Sequence, residues 1–212
     1  PQGVPTASDH VLIRHGRVLL NNDSIPIVVS KLTLDGAGAG IVNGNAPSFT
    51  VSNDFTWKAG QVSTRLITNG SSSVYGALSK KLLNATWVTN GTTTWTSGDL
   101  NMDNAEIQNA GSFDINGVRA YGVNSNGINP RVFRNLNSGV LMSRNGAGVS
   151  HFFFTSNFVN QGKVEERTFD LIFSTLENYG TIEAYPNAFV RPFEGVFANG
   201  TSIQGKGTLQ LG

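Results

Sequence analysis

Apolar and polar side chains alternate in a short pattern that the chain repeats five times, each time after a glycine. The second residue after the glycine is apolar in every copy, at Phe113, Leu141, Val164, Ile182 and Leu209. The next residue is polar in four of the five copies, and is Met142 in the other. Because side chains of a strand alternate between two faces, the pattern predicts short strands with one buried and one solvated face.

The spacing of the copies predicts how these strands stack. Their glycines are separated by 28, 23, 18 and 27 residues and lie at Gly111, Gly139, Gly162, Gly180 and Gly207. Periods near 20 residues suit one turn of a β-helix, whose apolar face is buried only by neighbouring turns. We therefore predict an all-β fold, an irregular parallel β-helix (β-solenoid) of about nine turns. Residues 1–212 form a single domain in this prediction, and we expect it to be a segment of a longer solenoid.

A second pattern, Trp-x-x-Gly-x-apolar, begins at Trp57 and again at Trp95. Its Gly98 lies 13 residues before Gly111, which is too close for equivalent positions in successive turns. We therefore expect these two glycines on adjacent faces of one turn.

Signals for helices are almost absent, because no capped window of about 11 residues or more keeps a 3.6-residue period. Phe189, Phe193 and Phe197 are spaced four apart, so we allow a single helical turn there, although Pro192 interrupts it.

Charge and composition exclude several classes of partner. The chain has 15 basic residues, which are dispersed along the sequence, 14 acidic residues and no cysteine. A nucleic-acid footprint and a polybasic membrane segment are therefore missing, and no apolar stretch approaches the roughly 18 residues of a membrane helix. We predict no nucleic-acid partner, no membrane insertion, and neither disulfides nor thiolate metal sites.

Glu165 and Glu183 are the candidate catalytic pair, because they occupy the same outward position in consecutive copies. In stacked turns their carboxyl groups would lie about 5 Å apart, as in retaining glycosidases. Like charges at that distance raise one pKa, as a general acid requires. The alternative, which we favour, is a solvated face whose charges separate or pair with Lys163 and Arg167. Glu166 falls on the predicted inward side.

Trp57, Trp87 and Trp95 are the candidate ligand-binding residues, because exposed indole rings can stack on the sugar rings of a neutral glycan. Packing at a corner of the turn is the alternative interpretation. In the run 151–158 Phe152 and Phe153 would face opposite sides, so some phenylalanine surface needs a covering loop or a partner, which hints at lateral self-association.

Other site chemistry is poorly supported. His10 and His15 differ by five positions and would face opposite sides of a strand, and His151 lies far away in sequence. No nucleophile elbow, P-loop or dinucleotide fingerprint occurs, so we predict no metal and no cofactor. An ice-binding array needs threonines in register on successive turns, and we expect acids and Met142 in that column instead.

Three stretches resemble the repeat regions of filamentous-haemagglutinin-like and autotransporter-passenger adhesins of bacteria. They are VPTASDHVLI at 4–13, the run from WTSGDL at 95–100 through AEIQNAGSFDI at 105–115, and GTSIQGKGTLQLG at 200–212. The resemblance implies a right-handed parallel β-helix that serves as a stalk or as a glycan- or surface-binding module.

The function we predict is an extracellular, non-catalytic adhesive or structural module at a bacterial surface, with a glycan or host-surface ligand. The first alternative is a polysaccharide lyase or glycoside hydrolase that uses Glu165 and Glu183. The second is a subunit of an extracellular fibre, assembled end to end through open strand edges.

Overall fold

The computed structural model describes residues 5–20, 25–43, 47–116, 123–124, 130–144, 150–168 and 170–211. Within these residues there are 22 strands and no helix. The strands are β1 (His10–Ile13), β2 (Arg17–Leu20), β3 (Ile27–Leu34), β4 (Gly40–Asn43), β5 (Phe49–Trp57), β6 (Gly60–Ser63), β7 (Leu66–Thr68), β8 (Ser71–Val74), β9 (Lys80–Thr89), β10 (Thr92–Trp95), β11 (Leu100–Asn109), β12 (Ser112–Ile115), β13 (Val123–Asn124), β14 (Arg131–Asn135), β15 (Val140–Ser143), β16 (Ser150–Asn160), β17 (Lys163–Glu166), β18 (Asp170–Asn178), β19 (Thr181–Ala184), β20 (Phe189–Phe197), β21 (Ser202–Gly205) and β22 (Thr208–Leu209).

Every strand pair formed by these residues is parallel, and each strand pairs with its counterpart in the next turn. The stack is a β-solenoid. The predicted fold class is therefore confirmed.

The pairings divide the solenoid into three faces, because each long strand bends and contributes to two of them. Face 1 contains β7, β14 and the segments 27–29, 49–51, 85–89, 105–109, 157–160, 175–178 and 194–197. Face 2 contains β1, β8, β10, β12, β15, β17, β19, β21 and the segments 31–34 and 54–57. Face 3 contains β2, β4, β6, β13, β22 and the segments 80–83, 100–103, 150–153, 170–173 and 189–192.

The corner between faces 1 and 2 explains the asparagine that precedes several of the repeated glycines. Asn109, Asn135, Asn160 and Asn178 are buried and in register on successive turns. The Nδ2 of each of the first three donates to the Oδ1 of the next asparagine, at 2.8, 2.8 and 2.6 Å. This asparagine ladder satisfies buried amides that would otherwise be costly inside the core.

The glycines of the same corner are required by close backbone approach. A Cβ built on Gly162 or Gly180 would overlap the carbonyl oxygen of the glycine one turn earlier, Gly139 or Gly162 respectively. Any larger residue would push successive turns apart at this corner.

Aromatic rings fill the core along the solenoid axis. Neighbouring rings have centroids 4.5–5.9 Å apart. They belong to Phe55, Trp57, Trp87, Phe113, Phe133, Phe158 and Phe173. Such tilted, edge-on and stacked contacts add to the burial of apolar surface.

The register confirms four of the five glycine-anchored copies and corrects the last. The residues after Gly111, Gly139, Gly162 and Gly180 pair in sequence as β12, β15, β17 and β19. The next strand of that column is β21, in which Ile203 pairs with Ile182. Gly207 instead precedes β22, which pairs with β20 on face 3. The two strands of the last turn carry similar local patterns, so spacing alone selected the wrong one.

Two further expectations meet different outcomes. Gly98 lies between β10 and β11, and Gly111 lies between β11 and β12, so the two glycines occupy different corners of one turn as expected. The helical turn allowed at 189–197 is wrong, because these residues form strand β20. Pro192 is tolerated there because β22 pairs only with Phe189 and Val190, so the ladder on that side has already ended.

Candidate functional site

Glu165 and Glu183 lie on β17 and β19 and are direct partners in the register of face 2. The predicted shared column is therefore confirmed. Asp114 and Met142 precede them in the same column, and Gln204 follows. Glu166 faces inward as expected and is buried, and its Oε1 accepts a hydrogen bond from the backbone N–H of Thr168 at 3.1 Å.

Both carboxylates of the pair are held by cations. Lys163 Nζ lies 2.6 Å from Glu165 Oε1 and 2.7 Å from Glu183 Oε2, so one ammonium group bridges the two turns. Arg167 donates to Glu165 Oε2 through Nε at 2.9 Å and Nη2 at 2.5 Å. This arrangement is the charge-paired face that we favoured, with Lys163 and Arg167 as the partners.

The electrostatics oppose a general-acid role for Glu165. Burial alone would raise its pKa, but the hydrogen bonds from Lys163 and Arg167 outweigh burial and hold the pKa below its ordinary value. Hydrogen bonds to Glu165 and Glu183 in turn raise the pKa of Lys163. The prediction of a raised pKa is therefore wrong for Glu165, because one cation lies between the paired acids and a second lies beside Glu165.

The ion pairs continue along the column toward the preceding turns. Arg144 donates to the nearly buried carboxylate of Asp114 through Nε at 3.0 Å and also through Nη2. The hydrogen bonds that Arg144 donates to Asp114 raise the pKa of Arg144. Asp114, Arg144, Lys163, Glu165, Arg167 and Glu183 are called the ion network below.

The three tryptophans are core residues, so their interpretation as ligand-binding stacking surfaces is wrong. Trp57 and Trp87 are 0% exposed and Trp95 is 2% exposed. Trp95 Nε1 donates to the carbonyl of Gly98 at 2.8 Å, and Trp87 Nε1 donates to Thr68 Oγ1 at 3.2 Å. Each ring lies on the inward parity of its strand, where no sugar can reach it.

The side chains of two of the three histidines, His10 and His15, are described, and they lie at different places in the first turn. His10 Nε2 lies 3.1 Å from Thr33 Oγ1 on face 2, whereas His15 lies at the corner between β1 and β2. The side chains of His151, Phe152 and Phe153 lie outside the described residues. Among the residues that the structure describes, no group of three or more His, Asp or Glu side chains could hold a metal ion.

The outward column of face 2 differs between its two halves. Before Asp114 it carries four hydroxyl groups in register, from Thr33, Thr56, Ser73 and Thr94. The expectation of acids and methionine in this column is thus correct only from Asp114 onward. The neighbouring column holds the ion pair of Lys31 and Asp54 at 2.7 Å, so the surface is not a uniform threonine array.

A groove that the sequence analysis missed lies where face 3 turns into face 1. Its cavity volume is about 440 Å³. The lining residues are Pro47, Arg65, Asn84, Ala85, Thr86, Asn104, Ala105, Glu106, Pro130 and Val132. A repeated Asn-Ala pair, 20 residues apart at positions 84–85 and 104–105, is the sequence signal that could have revealed it. The volume lies within the range of ligand-binding clefts, and most of the lining is polar.

Comparison with known proteins adds no relative: no protein-family model, curated protein or solved structure matches the chain. The part of the chain that the structure describes contains no helix long and apolar enough to cross a membrane.

Proposed function

We propose that the chain is a non-catalytic module of an extracellular or surface-exposed bacterial protein, in which a rigid solenoid presents polar surface to a glycan or another cell-surface ligand. The observation that carries the non-catalytic part is the pairing of Glu165 and Glu183 with Lys163 and Arg167. A carboxylate whose pKa is held low and whose lone pairs are occupied is poorly suited to donate a proton or attack a substrate.

The interior supports a presenting role. Parallel strands, the asparagine ladder and the aromatic core repeat from turn to turn, so each turn is fixed by its neighbours. A scaffold of this kind keeps outward side chains at fixed spacing along the axis, which suits recognition of an extended ligand.

Composition supports the extracellular assignment. The chain has no cysteine and only 14% charged residues, a profile that agrees with the bacterial surface proteins whose repeat regions it resembles.

Retention on an immobilised glycan panel tests the proposal. We expect the wild type and the Glu165→Gln/Glu183→Gln double variant to retain the same glycans with affinities within about twofold. An enzyme would lose turnover in the double variant while keeping its fold. Loss of a glycan-cleaving activity in that variant would therefore favour the lyase or hydrolase alternative.

Self-assembly is the second candidate, and the last turn carries the observation that favours it. Phe193 and Val196 of β20 are each 59% exposed, and Ile203 of β21 is 48% exposed. Exposed apolar side chains beside an open strand edge favour association. In a fibre subunit the sedimentation coefficient would rise with concentration, and Phe193→Ser with Val196→Ser would abolish the rise. A coefficient that stays at the single-chain value across concentrations would contradict this candidate.

A further inference from the structure

The groove between faces 3 and 1 runs along the solenoid axis. Its lining comes from successive turns, represented by Arg65 before β7, Thr86 in β9, Glu106 in β11 and Val132 in β14. Adjacent strands are separated by about 4.8 Å, so these residues span about 14 Å. An elongated cavity of this kind fits a short stretch of an extended polymer better than it fits a compact cofactor.

Two asparagines on one wall adopt a backbone conformation that normally favours glycine. Asn84 has φ 49° and Asn104 has φ 45°, and each lies at the bend of its long strand. Glycine adopts this conformation most easily and asparagine is enriched there among the other residues, so the chain bends at these positions and keeps an amide at each. Asn104 Nδ2 donates to Asn84 Oδ1 at 2.9 Å, and both side chains are exposed.

The paired amides offer complementary groups to a ligand. Their mutual hydrogen bond leaves Asn84 Nδ2 as a donor and Asn104 Oδ1 as an acceptor. Ala85 and Ala105 follow them in sequence, line the groove and are nearly buried. A donor and an acceptor at adjacent turns match neighbouring hydroxyl groups of a sugar.

The two charged residues that line the groove differ in whether they form an ion pair. Glu106 is held by Arg134, whose Nε lies 2.9 Å from Glu106 Oε1. Arg65 is exposed, and among the described residues no carboxylate lies within ion-pair distance of its guanidinium group. A guanidinium group of this kind binds a carboxylate through two parallel hydrogen bonds.

We propose that this groove is the glycan-binding site of the module and that it selects a glycan bearing a carboxylate. Arg65 binds the carboxylate, while Asn84, Asn104 and Thr86 bind hydroxyl groups along the chain of sugars. The inference rests on the proposed glycan-binding function and deepens it, because it names the site and the acidic class of sugar.

Calorimetric titration with matched ligands tests the inference. The probes are a tetrasaccharide of alternating glucuronic acid and N-acetylglucosamine and the same tetrasaccharide with its carboxyl groups reduced to alcohols. We expect the wild type to bind the acidic form at least about tenfold more tightly, since charge-assisted hydrogen bonds are lost on reduction. Equal binding of the two forms would overturn the acidic selectivity.

Variants place the binding in the groove. Arg65→Gln should weaken binding of the acidic form at least about tenfold and remove the difference between the two probes. The Asn84→Gly/Asn104→Gly double variant should weaken binding of both forms equally. Glycine accepts the positive φ at both positions, so this variant keeps the bend while it loses the amides. The control is Arg14→Gln, which removes an exposed arginine far from the groove and should leave binding unchanged.

The outcomes separate this inference from the proposed function. Acidic binding that survives both groove variants would overturn the groove while leaving a glycan-binding module intact. A wild type that binds neither probe and retains nothing from the wider panel would remove the proposed function itself. Retention of neutral glycans alone, lost in the asparagine variant, would keep the site and overturn its preference for acids.

Discussion

Single residues in this solenoid depend on contacts with the turns before and after them, and Lys80 shows this most clearly. It is 0% exposed, and its Nζ donates to the carbonyl oxygens of Gly76, Leu78 and Ser97 at 2.8, 3.0 and 3.0 Å. All three donors of the ammonium group are thereby satisfied. Burial lowers the pKa of Lys80 to about 8.

Replacement of Lys80 should destabilise the fold in a pH-dependent way. Lys80→Met leaves three carbonyl groups without a donor, so we expect the free energy of unfolding to fall by about 2 kcal/mol near pH 7. Between pH 8 and the ordinary lysine pKa of 10.5 the unfolded wild type binds more protons than the folded one. The free energy of unfolding of the wild type therefore rises with pH over this range. The difference in that free energy between the wild type and Lys80→Met should widen accordingly.

Chemical denaturation across that pH range measures the gap. Lys81→Met, at the exposed neighbouring position, is the matched control and should show no such trend. A gap that narrows from pH 8 to 10.5 would contradict the burial of Lys80 in the native state.

Close approach at the glycine corner gives a second prediction at this scale. Gly162→Ala places a Cβ against the carbonyl oxygen of Gly139 and should cost about 2–4 kcal/mol. Gly38→Ala, where the nearest atom lies 3.9 Å away, should change stability by less than about 0.5 kcal/mol. Thermal unfolding of the two variants compares them directly, and equal effects would be inconsistent with this backbone contact.

At the scale of the element, the asparagine ladder connects the ends of successive face 1 strands at the corner with face 2. Asn135→Ala would leave one N–H of Asn109 Nδ2 without its acceptor, although this Nδ2 still donates to Val140, and would leave Asn160 Oδ1 without its donor. We expect a loss of about 2–4 kcal/mol, because two buried polar groups each lose a hydrogen bond. Asn90→Ala removes a similar but exposed bond to Asn69 and should cost less than about 1 kcal/mol. Urea unfolding distinguishes the two, and a cost at Asn135 no larger than at Asn90 would argue against the ladder.

The ion network gives the element-scale prediction for pH. The pKa of Glu165 is depressed, so its contribution to stability is present above its ordinary pKa of 4.5 and is lost as pH falls below that value. The pKa of Lys163 is raised, so its contribution is present below the ordinary value of 10.5 and is lost at higher pH. Below pH 4.5, the stability of Glu165→Gln measured by thermal unfolding should therefore fall less steeply than that of the wild type. The same fall in both proteins would show that Glu165 is not paired in solution.

Strand alternation explains why part of this site could be predicted from the sequence. A period of two and a short repeat placed Glu165 over Glu183 and Glu166 inward, because both depend only on local pattern and spacing. The same rule could have placed Trp57 inward, since it lies two residues after the buried Phe55. The partners of Glu165 decide its pKa, and side-chain geometry of that kind is not encoded in a repeat pattern.

At the scale of the whole molecule, the register between turns determines to which face each strand belongs, and the spacing of the repeats alone does not. Gly207 carries the repeated pattern but belongs to face 3, because the final turn has a strand on two faces with similar sequence. The groove depends on the bends at Asn84 and Asn104, whose effect appears only when neighbouring turns are stacked. The fold could therefore be predicted from the periodicity of the sequence. The surface groove could not, because it depends on the alignment of turns of unequal length.

The central proposal is that this solenoid binds a glycan without cleaving it. Its most direct test is mass analysis of a mixed panel of neutral and acidic glycans, both retained and released, after incubation with the protein. The account predicts that acidic glycans are retained at unchanged mass. Shortened or unsaturated products would contradict it and would make Glu165 and Glu183 the first positions to mutate.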